Sequence, residues 1–573
     1  MIKIEVNKKM ISVERGETIL SALKNNGIKV PTLCSMSELS PTGACRMCVV
    51  EVEGYDNLVP ACSFRVEEWM KIRTHSARVL NARKTNVELL LSNHPDDCLY
   101  CERNGNCELQ KLSEDLNVRN RTIQGQKCNF KLDTSSKGIV RDPAKCILCG
   151  RCVRVCEEIV GVAAFDFERR GEQLRIATAL SEPLAFSSCI ECGMCVISCP
   201  TGALIDHTQF QEIDTSLDDP EIIVAIQYTP EVVVSIAEEF GFRPGTELKG
   251  ILNSALRKIG FDYIFETSCG GDVYVMEQAA ELATRLKRSE KIPMITSRCA
   301  AWVNYVEAFR PELMSNLVPV RSPHQITGKL IKTWFTSKLK TKKHRIHSVL
   351  ITNCTAAKQE ATRPDYYTDH TQDVDFVLTT REMARLIRLN GIDFQELEPE
   401  PADGPFHAVS SAGKLLATCG GEAEATLRTV YREMNKKELQ DARLSKLRGH
   451  RDVKEVTIPS QKGEIRVAAV SGLKSALSLL DEVVSGKRHY DMIEVMVCKD
   501  GCINGGGQPI PPSQPAVKAR TRNIYEMDKN ESVKSAHKNK AALKIYEELA
   551  RSPGSDESRE LFLASFEHKK VLK

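Results

Sequence analysis

Between Cys146 and Pro200 the chain spells Cys-x2-Cys-x2-Cys-x3-Cys twice, first at Cys146, Cys149, Cys152 and Cys156, then at Cys189, Cys192, Cys195 and Cys199. Few folds accept that pattern. Three thiolates at such short pitch face one side of a tight loop while a fourth reaches in from elsewhere, which is how a cube of iron and sulfide is wrapped. In paired repeats of this kind the fourth Cys of each run ligates the other cluster. Cys156 is therefore expected to close the second site and Cys199 the first. The second run keeps the Pro that commonly follows, Pro200, whereas the first has Glu157. Two matches to one spacing argue against eight scattered structural thiols.

At 573 residues the chain is too long for one ordinary domain, and at 42% hydrophobic it can bury several cores. Its net charge of +3 favours neither a nucleic-acid partner nor an acidic membrane surface. The opening MIKIEVNKKM has no apolar run after its basic residues, and no stretch of about 18 apolar residues follows. A cytoplasmic protein without a membrane span is the expectation. Its 22 Cys fall largely into Cys-x2-Cys groups with no secretion signal, which points to metal ligation rather than disulfides.

Residues 1–78 form the first expected domain. Ile2, Ile4 and Val6 alternate, as do Ile11 and Val13, around Asn7-Lys8-Lys9, which predicts a hairpin. Thr18 then starts a short helix that Gly27 stops. Cys34, Cys45, Cys48 and Cys62 follow, in an order that resembles the [2Fe-2S] ferredoxin domain at the start of many hydrogenases and of the large iron-sulfur subunit of NADH dehydrogenase. Four thiolates also suit zinc, but zinc ribbons pair two Cys-x2-Cys knuckles and only one is present here. Residues 79–125 carry His94, Cys98, Cys101 and Cys107, similar to the [4Fe-4S] module with one His and three Cys ligands in the same two families. The double ferredoxin domain spans 126–210. Fifteen Cys and His94 thus account for four clusters, leaving Cys128 as an ordinary thiol.

From about residue 220 short apolar strands alternate with helical stretches, an α/β pattern. Strands are predicted at 222–227, 262–266, 293–296, 348–352, 375–379, 466–472 and 492–497. Helical periodicity marks VVVSIAEEFG, VMEQAAELATRL, REMARLIRL and LKSALSLLDEVV. Cys299, Cys354 and Cys498 each lie just after a strand, where ligand sites collect in such sheets. Cys502 follows in CKDGCINGGGQP, whose Gly run lets backbone approach a bulky group.

Here the chain resembles the [FeFe]-hydrogenase family, large-subunit type, over nearly its whole length. The signature loops match TSRCAAW (296–302), NCTAAKQE (353–360) and EVMVCKDGCINGGGQP (494–509). The resemblance implies a multidomain α+β and α/β chain: ferredoxin-like modules, a hydrogenase-type α/β domain at 211–515, and a small-subunit-like segment at 516–573. It also implies that Cys299, Cys354, Cys498 and Cys502 hold the active-site cubane, with Cys502 at the position that bridges to the diiron subcluster in the family.

The departures carry as much information. Where the family's first loop has a proton-relaying Cys this chain has Arg298, and Ala300 replaces the Pro after the ligand. An arginine stays protonated and does not pass its own proton on. The family's cyanide-holding Lys becomes Ala357, with Lys358 one residue late. The relay Glu becomes Gln278 and the relay Ser becomes Val318, neither of which exchanges protons at ordinary pH. Glu281 and Arg285 still match. Cys269 and Cys419 are expected to be small buried thiols.

Every cubane thiolate is kept while the relay and the cyanide-binding position change. The expected function is an iron-sulfur electron-transfer subunit of a multisubunit NAD(P)H/ferredoxin oxidoreductase of the electron-bifurcating transhydrogenase type. It would carry one [2Fe-2S] and four [4Fe-4S] clusters and no diiron subcluster. No GxGxxG set lies between a strand and a helix, and the family resemblance implies that flavin and nicotinamide sit on partners: a flavoprotein NAD(P)H-dehydrogenase subunit and a small [2Fe-2S] subunit, with ferredoxin. The alternatives are an active or H2-sensing [FeFe] hydrogenase with a rebuilt proton route, and a noncatalytic scaffold, for which retaining nineteen Cys and His94 would be needless.

Overall fold

The computed structural model describes residues 1–127, 130–339, 345–461, 463–511 and 513–571; Cys128 lies outside them. The chain divides into two units. One holds Met1–Ser135, Val140–Ser187 and Ser198–Ile205, and the other holds Ser136–Ile139, Ser188–Ile197 and Asp206–Lys573.

The first unit opens with the predicted hairpin, in which Ile2–Val6 pairs antiparallel with Lys9–Val13. Asn7 and Lys8 both take positive φ, 50° and 69°, as a two-residue turn matched to the strand twist requires. Thr18 caps the helix Ile19–Asn25 by accepting from the Ser21 amide, and Gly27 turns the chain away at φ 74°. Five strands form the sheet, in the order Lys9–Val13, Ile2–Val6, Lys71–Arg73, Val49–Val52, Val59–Pro60. Its inward residues, among them Ile4, Val6, Val50 and Ile72, bury against Ile19 and Leu23 of the helix. Arg83 on the helix Ala77–Asn93 donates to the Val49 carbonyl at 2.9 Å and so fixes the next module to this sheet. Arg154 likewise donates to the Cys34 carbonyl at 2.5 Å, tying the first ferredoxin run to the first Cys loop.

The second unit is built on two four-stranded sheets. One is wholly parallel, in the order Tyr263–Glu266, Ile222–Tyr228, Arg345–Thr352, Phe376–Thr379. The other runs Met294–Ile295, Met492–Met496, Gly463–Ser471, Val453–Ser460, with only the last strand antiparallel. Ile222–Tyr228 and Met492–Met496 are buried at every position, so they read as apolar runs without alternation, broken only by Gln227 and Glu494. All seven predicted strands are present. Val453–Ser460 was not expected, because its alternating VKEVTIPS places polar residues on an exposed face of an edge strand. The helices Ser268–Arg288, Thr380–Leu389 and Leu473–Val484 cover the predicted periodic stretches. VVVSIAEEFG is divided into a helix, Pro230–Ser235, and a tighter turn, Ile236–Phe240, ended by Gly241 at φ 77°.

The C-terminal helices Gln514–Asn530, Lys540–Ile545 and Asp556–Phe562 pack on this unit, and Ile545, Tyr546 and Phe562 share one core with Val273 and Trp334. Polar anchors hold them too. Asn539 donates to Asp272 at 2.7 Å, and the Tyr546 hydroxyl donates to Glu277 at 2.7 Å. Among the described residues no helix is long and apolar enough to cross a membrane.

Candidate metal centres

Both sheets of the second unit deliver thiols to one place. Cys354 follows the strand Arg345–Thr352 of the parallel sheet, while Cys299 and Cys498 follow Met294–Ile295 and Met492–Met496 of the other. With Cys502 they line a cavity of about 60 Å³. The carboxyl ends of parallel strands thus meet around the site. Burial raises all four thiols, Cys502 to about 12, and neighbouring thiol groups add to the effect at Cys354 and Cys498. Protonated thiols are what a mainly apolar cavity selects. A metal cluster that took their place would release those protons.

The glycines of the last loop are needed for packing. A Cβ on Gly505 would lie 2.3 Å from the Asn353 carbonyl oxygen, and one on Gly506 would lie 2.2 Å from that of Cys192. The second ferredoxin run is therefore pressed onto the cavity, and Cys192 is among its lining residues. Thr355 donates to the Glu191 carbonyl at 2.6 Å and strengthens that contact.

Arg298 occupies the space beside Cys502. Its Nη1 lies 3.5 Å from Cys502 Sγ, its Nη2 3.4 Å from Met496 Sδ, and its Nε donates to Glu422 at 3.0 Å. Burial opposes the guanidinium charge, but Cys502, Glu422 and Glu494 outweigh it and hold the group protonated. Glu422 also accepts from the Tyr274 hydroxyl at 2.7 Å and the Gln278 amide at 2.9 Å. Thr426 donates to the other end of that amide at 2.6 Å, which fixes its orientation. Val318 is buried in the apolar core, and its side chain offers no exchangeable proton; its backbone amide donates to the Ile295 carbonyl at 2.9 Å and its carbonyl accepts from Ser297 at 2.6 Å. Ala357 sits in an apolar cluster with Leu350, Val374 and Val377. The ammonium of Lys358 is turned away from the cavity, donating to the His207 carbonyl at 2.6 Å and to Glu382 at 2.8 Å. Cys269 and Cys419 are buried in the main core and do not line the cavity.

Sequence reasoning missed two polar groups in the wall, Glu231 and His324, and the carboxylate Glu422 behind Arg298. Glu231 follows the strand Ile222–Tyr228 and accepts from Thr352 at 3.3 Å; His324 pairs with Glu360 at 2.7 Å; and Glu422 is the counter-ion of Arg298. The strand-end rule that found the thiols could have found Glu231. The other contacts join residues far apart in sequence.

In the first unit Cys146, Cys149, Cys152 and Cys199 line one cavity. Burial raises Cys149 to about 12 and Cys152 further. Cys156 belongs to this unit, and Cys189, Cys192 and Cys195 belong to the second. Cys34, Cys45, Cys48 and Cys62 stand within hydrogen-bonding reach of one another, with Cys62 lowering Cys48 to about 7. His94 directs Nδ1 to the Pro95 carbonyl at 3.0 Å, leaving Nε2 buried with no hydrogen-bond partner. That is the arrangement of an imidazole whose free lone pair serves a metal. Cys101 and Cys107, both raised by burial, interact nearby, and Cys98 next to Cys101 is exposed. Among the described residues no three His, Cys, Asp or Glu side chains form a ready site for a single metal ion. Four thiols standing around a cavity suit a cluster of several irons better than a lone ion.

Comparison with known proteins agrees with this layout. Over 98% of both chains, 36% of residues are identical to the NADP-reducing hydrogenase subunit HndD of Solidesulfovibrio fructosivorans. The chain belongs to the iron-only, or [FeFe], hydrogenase family. It is also 33% identical to iron hydrogenase 1 of Clostridium pasteurianum, over the full length of both. Residues 222–506 match the iron only hydrogenase large subunit, C-terminal domain, and residues 514–568 the iron hydrogenase small subunit. Upstream, residues 1–77 match a 2Fe-2S iron-sulfur cluster binding domain, 83–122 the NADH-ubiquinone oxidoreductase-G iron-sulfur binding region, and 145–203 a 4Fe-4S dicluster domain. Among solved structures, a variant of the apo [FeFe]-hydrogenase HydA1 from Chlamydomonas reinhardtii superimposes with a TM-score of 0.56 at 28% identity. That match covers 63% of this chain and 99% of the algal one.

Proposed function

We propose that this chain is the iron-sulfur electron-transfer subunit of a cytoplasmic, multisubunit NAD(P)H/ferredoxin oxidoreductase of the electron-bifurcating transhydrogenase type, with a hydrogenase-like pocket that holds a cubane alone. The observation that carries this reading is the wall beside Cys502. Arg298 is locked there by Glu422, Ala357 lies among apolar side chains, and the Lys358 ammonium is committed to Glu382. None of the changed positions keeps the side chain that relays a proton or holds a cyanide in the family.

Cys34, Cys45, Cys48 and Cys62 would hold a [2Fe-2S] cluster, and His94, Cys98, Cys101 and Cys107 a [4Fe-4S] cluster. Cys146, Cys149, Cys152 and Cys199 would hold the next cubane, and Cys189, Cys192, Cys195 and Cys156 the one after it. Cys299, Cys354, Cys498 and Cys502 would hold the last. The corresponding domains run 1–78, 79–125, 126–210, 211–515 and 516–573. When bound, these clusters supply one-electron transfer. The chain's own part is to supply thiolates, to bury them, and to bring Cys192 onto the last pocket. The Gly505–Gly507 run is occupied with that packing, which leaves flavin and nicotinamide to partner subunits. Full-length likeness to a protein described as a subunit of an NADP-reducing hydrogenase supports such an assembly.

A second reading, an active or H2-sensing hydrogenase, draws support from Glu231 and the His324–Glu360 pair, which put exchangeable protons in the cavity wall. Infrared spectra of protein made alongside the hydrogenase maturation machinery distinguish the two. We expect no iron-bound carbonyl or cyanide bands in a sample whose iron and sulfide content is complete. Their presence would overturn the first reading in favour of the second.

A further inference from the structure

We propose that Arg298 sets the reduction potential of the cluster held by Cys502, raising it through a direct contact with the thiolate and a fixed pairing with Glu422. The inference rests on reading the pocket as a cubane site. It adds a role for a residue that the loss of proton relay alone leaves idle.

The geometry supplies three arguments. First, Nη1 of Arg298 is 3.5 Å from Cys502 Sγ in the wall of a mainly apolar cavity, and its side chain is 9% exposed. A guanidinium is charged at every working pH, and charge acts strongly where water is excluded. Taking up one electron adds one negative charge to the thiolate-bound group, with no proton required. A fixed positive charge at Cys502 favours that reduced form, and hydrogen bonds to cluster sulfurs act in the same direction.

Second, the guanidinium cannot swing away. Glu422 holds Nε at 3.0 Å and Met496 Sδ lies 3.4 Å from Nη2. Glu494, itself held by the Gly420 and Ala423 amides at 2.8 and 2.7 Å, stands close enough to favour the charge.

Third, the departures at 298 and 278 fit each other. Gln278 donates to Glu422 at 2.9 Å. A carboxylate at 278 would face Glu422 and compete for Arg298; the neutral amide instead donates to one oxygen of Glu422 and leaves the other to accept from Nε. Two changes that separately look like loss of proton transfer together build a held cation beside the cluster.

The test is an EPR-monitored redox titration of the complete, cluster-loaded chain, with the pocket's signal assigned by its loss in Cys354→Ser. Arg298→Met should lower the midpoint, changing the ratio of reduced to oxidised cluster at fixed potential by at least about tenfold, or about 59 mV for one electron. Arg298→Lys should fall between wild type and Arg298→Met. Glu422→Gln, which keeps Arg298 and removes its counter-charge, should move the midpoint upward. A general loosening of the pocket would not shift the two variants in opposite senses. If Arg298→Met fails to hold the cluster, the upward shift in Glu422→Gln remains decisive. Midpoints that stay put, or shift the same way in both, would overturn the role of Arg298 alone. Carbonyl and cyanide bands in the wild type would instead overturn the reading of the pocket beneath it.

Discussion

Replacing Lys358 with Met separates a structural lysine from one that serves the cavity. Lys358 and Glu382 form a pair whose side chains are 2% and 4% exposed, 2.8 Å apart, and the ammonium also donates to the His207 carbonyl at 2.6 Å. Burial raises the Glu382 carboxyl, and Lys358 is the chief group opposing that rise. Lys358→Met strands the carboxylate and leaves a buried carbonyl without its donor. Breaking such a pair from one side costs about 3–5 kcal/mol. At roughly 2 °C per kcal/mol for a unit of this size, the unfolding temperature should fall by about 6–10 °C. The assay is thermal unfolding of the cluster-loaded protein under anaerobic conditions at one scan rate, because the process is irreversible once clusters are lost. The pocket's EPR signal should be unchanged below the transition. Adding Glu382→Gln should recover part of the loss, since the stranded charge is removed and the hydrogen bond to the Thr379 amide is retained by the amide oxygen. An unfolding temperature within about 1 °C of wild type, together with an altered pocket spectrum, would show that Lys358 acts in the cavity and would refute the reasoning.

Two further outcomes follow from close packing and from burial. Gly506→Ala places a Cβ 2.2 Å from the Cys192 carbonyl oxygen, a backbone atom that cannot rotate aside; iron analysis should show loss of the clusters at the Cys192 run and the Cys498 loop together, and full iron content would count against this contact. Asp272 is fully buried and accepts from Ser410, Gly413 and Asn539, yet burial lifts its carboxyl from 3.8 to about 6. A raised folded-state value means the folded chain binds this proton more tightly than the unfolded one. Its contribution is therefore complete below 3.8 and is lost as pH rises through about 6. A displacement of about two pH units is worth about 3 kcal/mol. Denaturant titrations of wild type and Asp272→Asn should diverge by that order between about pH 4 and about pH 7, in the variant's favour as pH rises. A constant difference would show that Asp272 does not titrate in this window.

Ligand spacing is legible in sequence because it is local. Cys146, Cys149 and Cys152 are expected to meet one cluster from one loop, so their pitch is written in the chain, and they line one cavity with Cys199. The buried strands were legible for a similar reason: Ile222–Tyr228 and Met492–Met496 are apolar at nearly every position because both faces are covered. Val453–Ser460 escaped notice because an edge strand with one wet face carries polar residues and a Pro, which weaken the signal. Relations across the fold were not legible. Arg298 stood out as a departure, but its counter-ion lies 124 residues away and was visible only as part of ATCGGEAE.

That last contact alters how the departures should be weighed. Counted one by one, Arg298, Gln278, Val318 and Ala357 are four losses, and unconstrained drift would produce losses of that sort. Drift does not, however, place a buried guanidinium beside a thiol. Moving such a charge out of water is costly unless a partner meets it in good geometry. Here Glu422 meets it at 3.0 Å, and Tyr274 and Gln278 complete the carboxylate's hydrogen bonds. Arg298 and Gln278 thus meet on one carboxylate, Glu422, which links the two departures physically. The wall beside Cys502 holds a buried ion pair, with its positive end at Cys502 Sγ and its negative end on Glu422. A cluster in this pocket would exchange electrons under a different local charge from one facing a neutral cysteine.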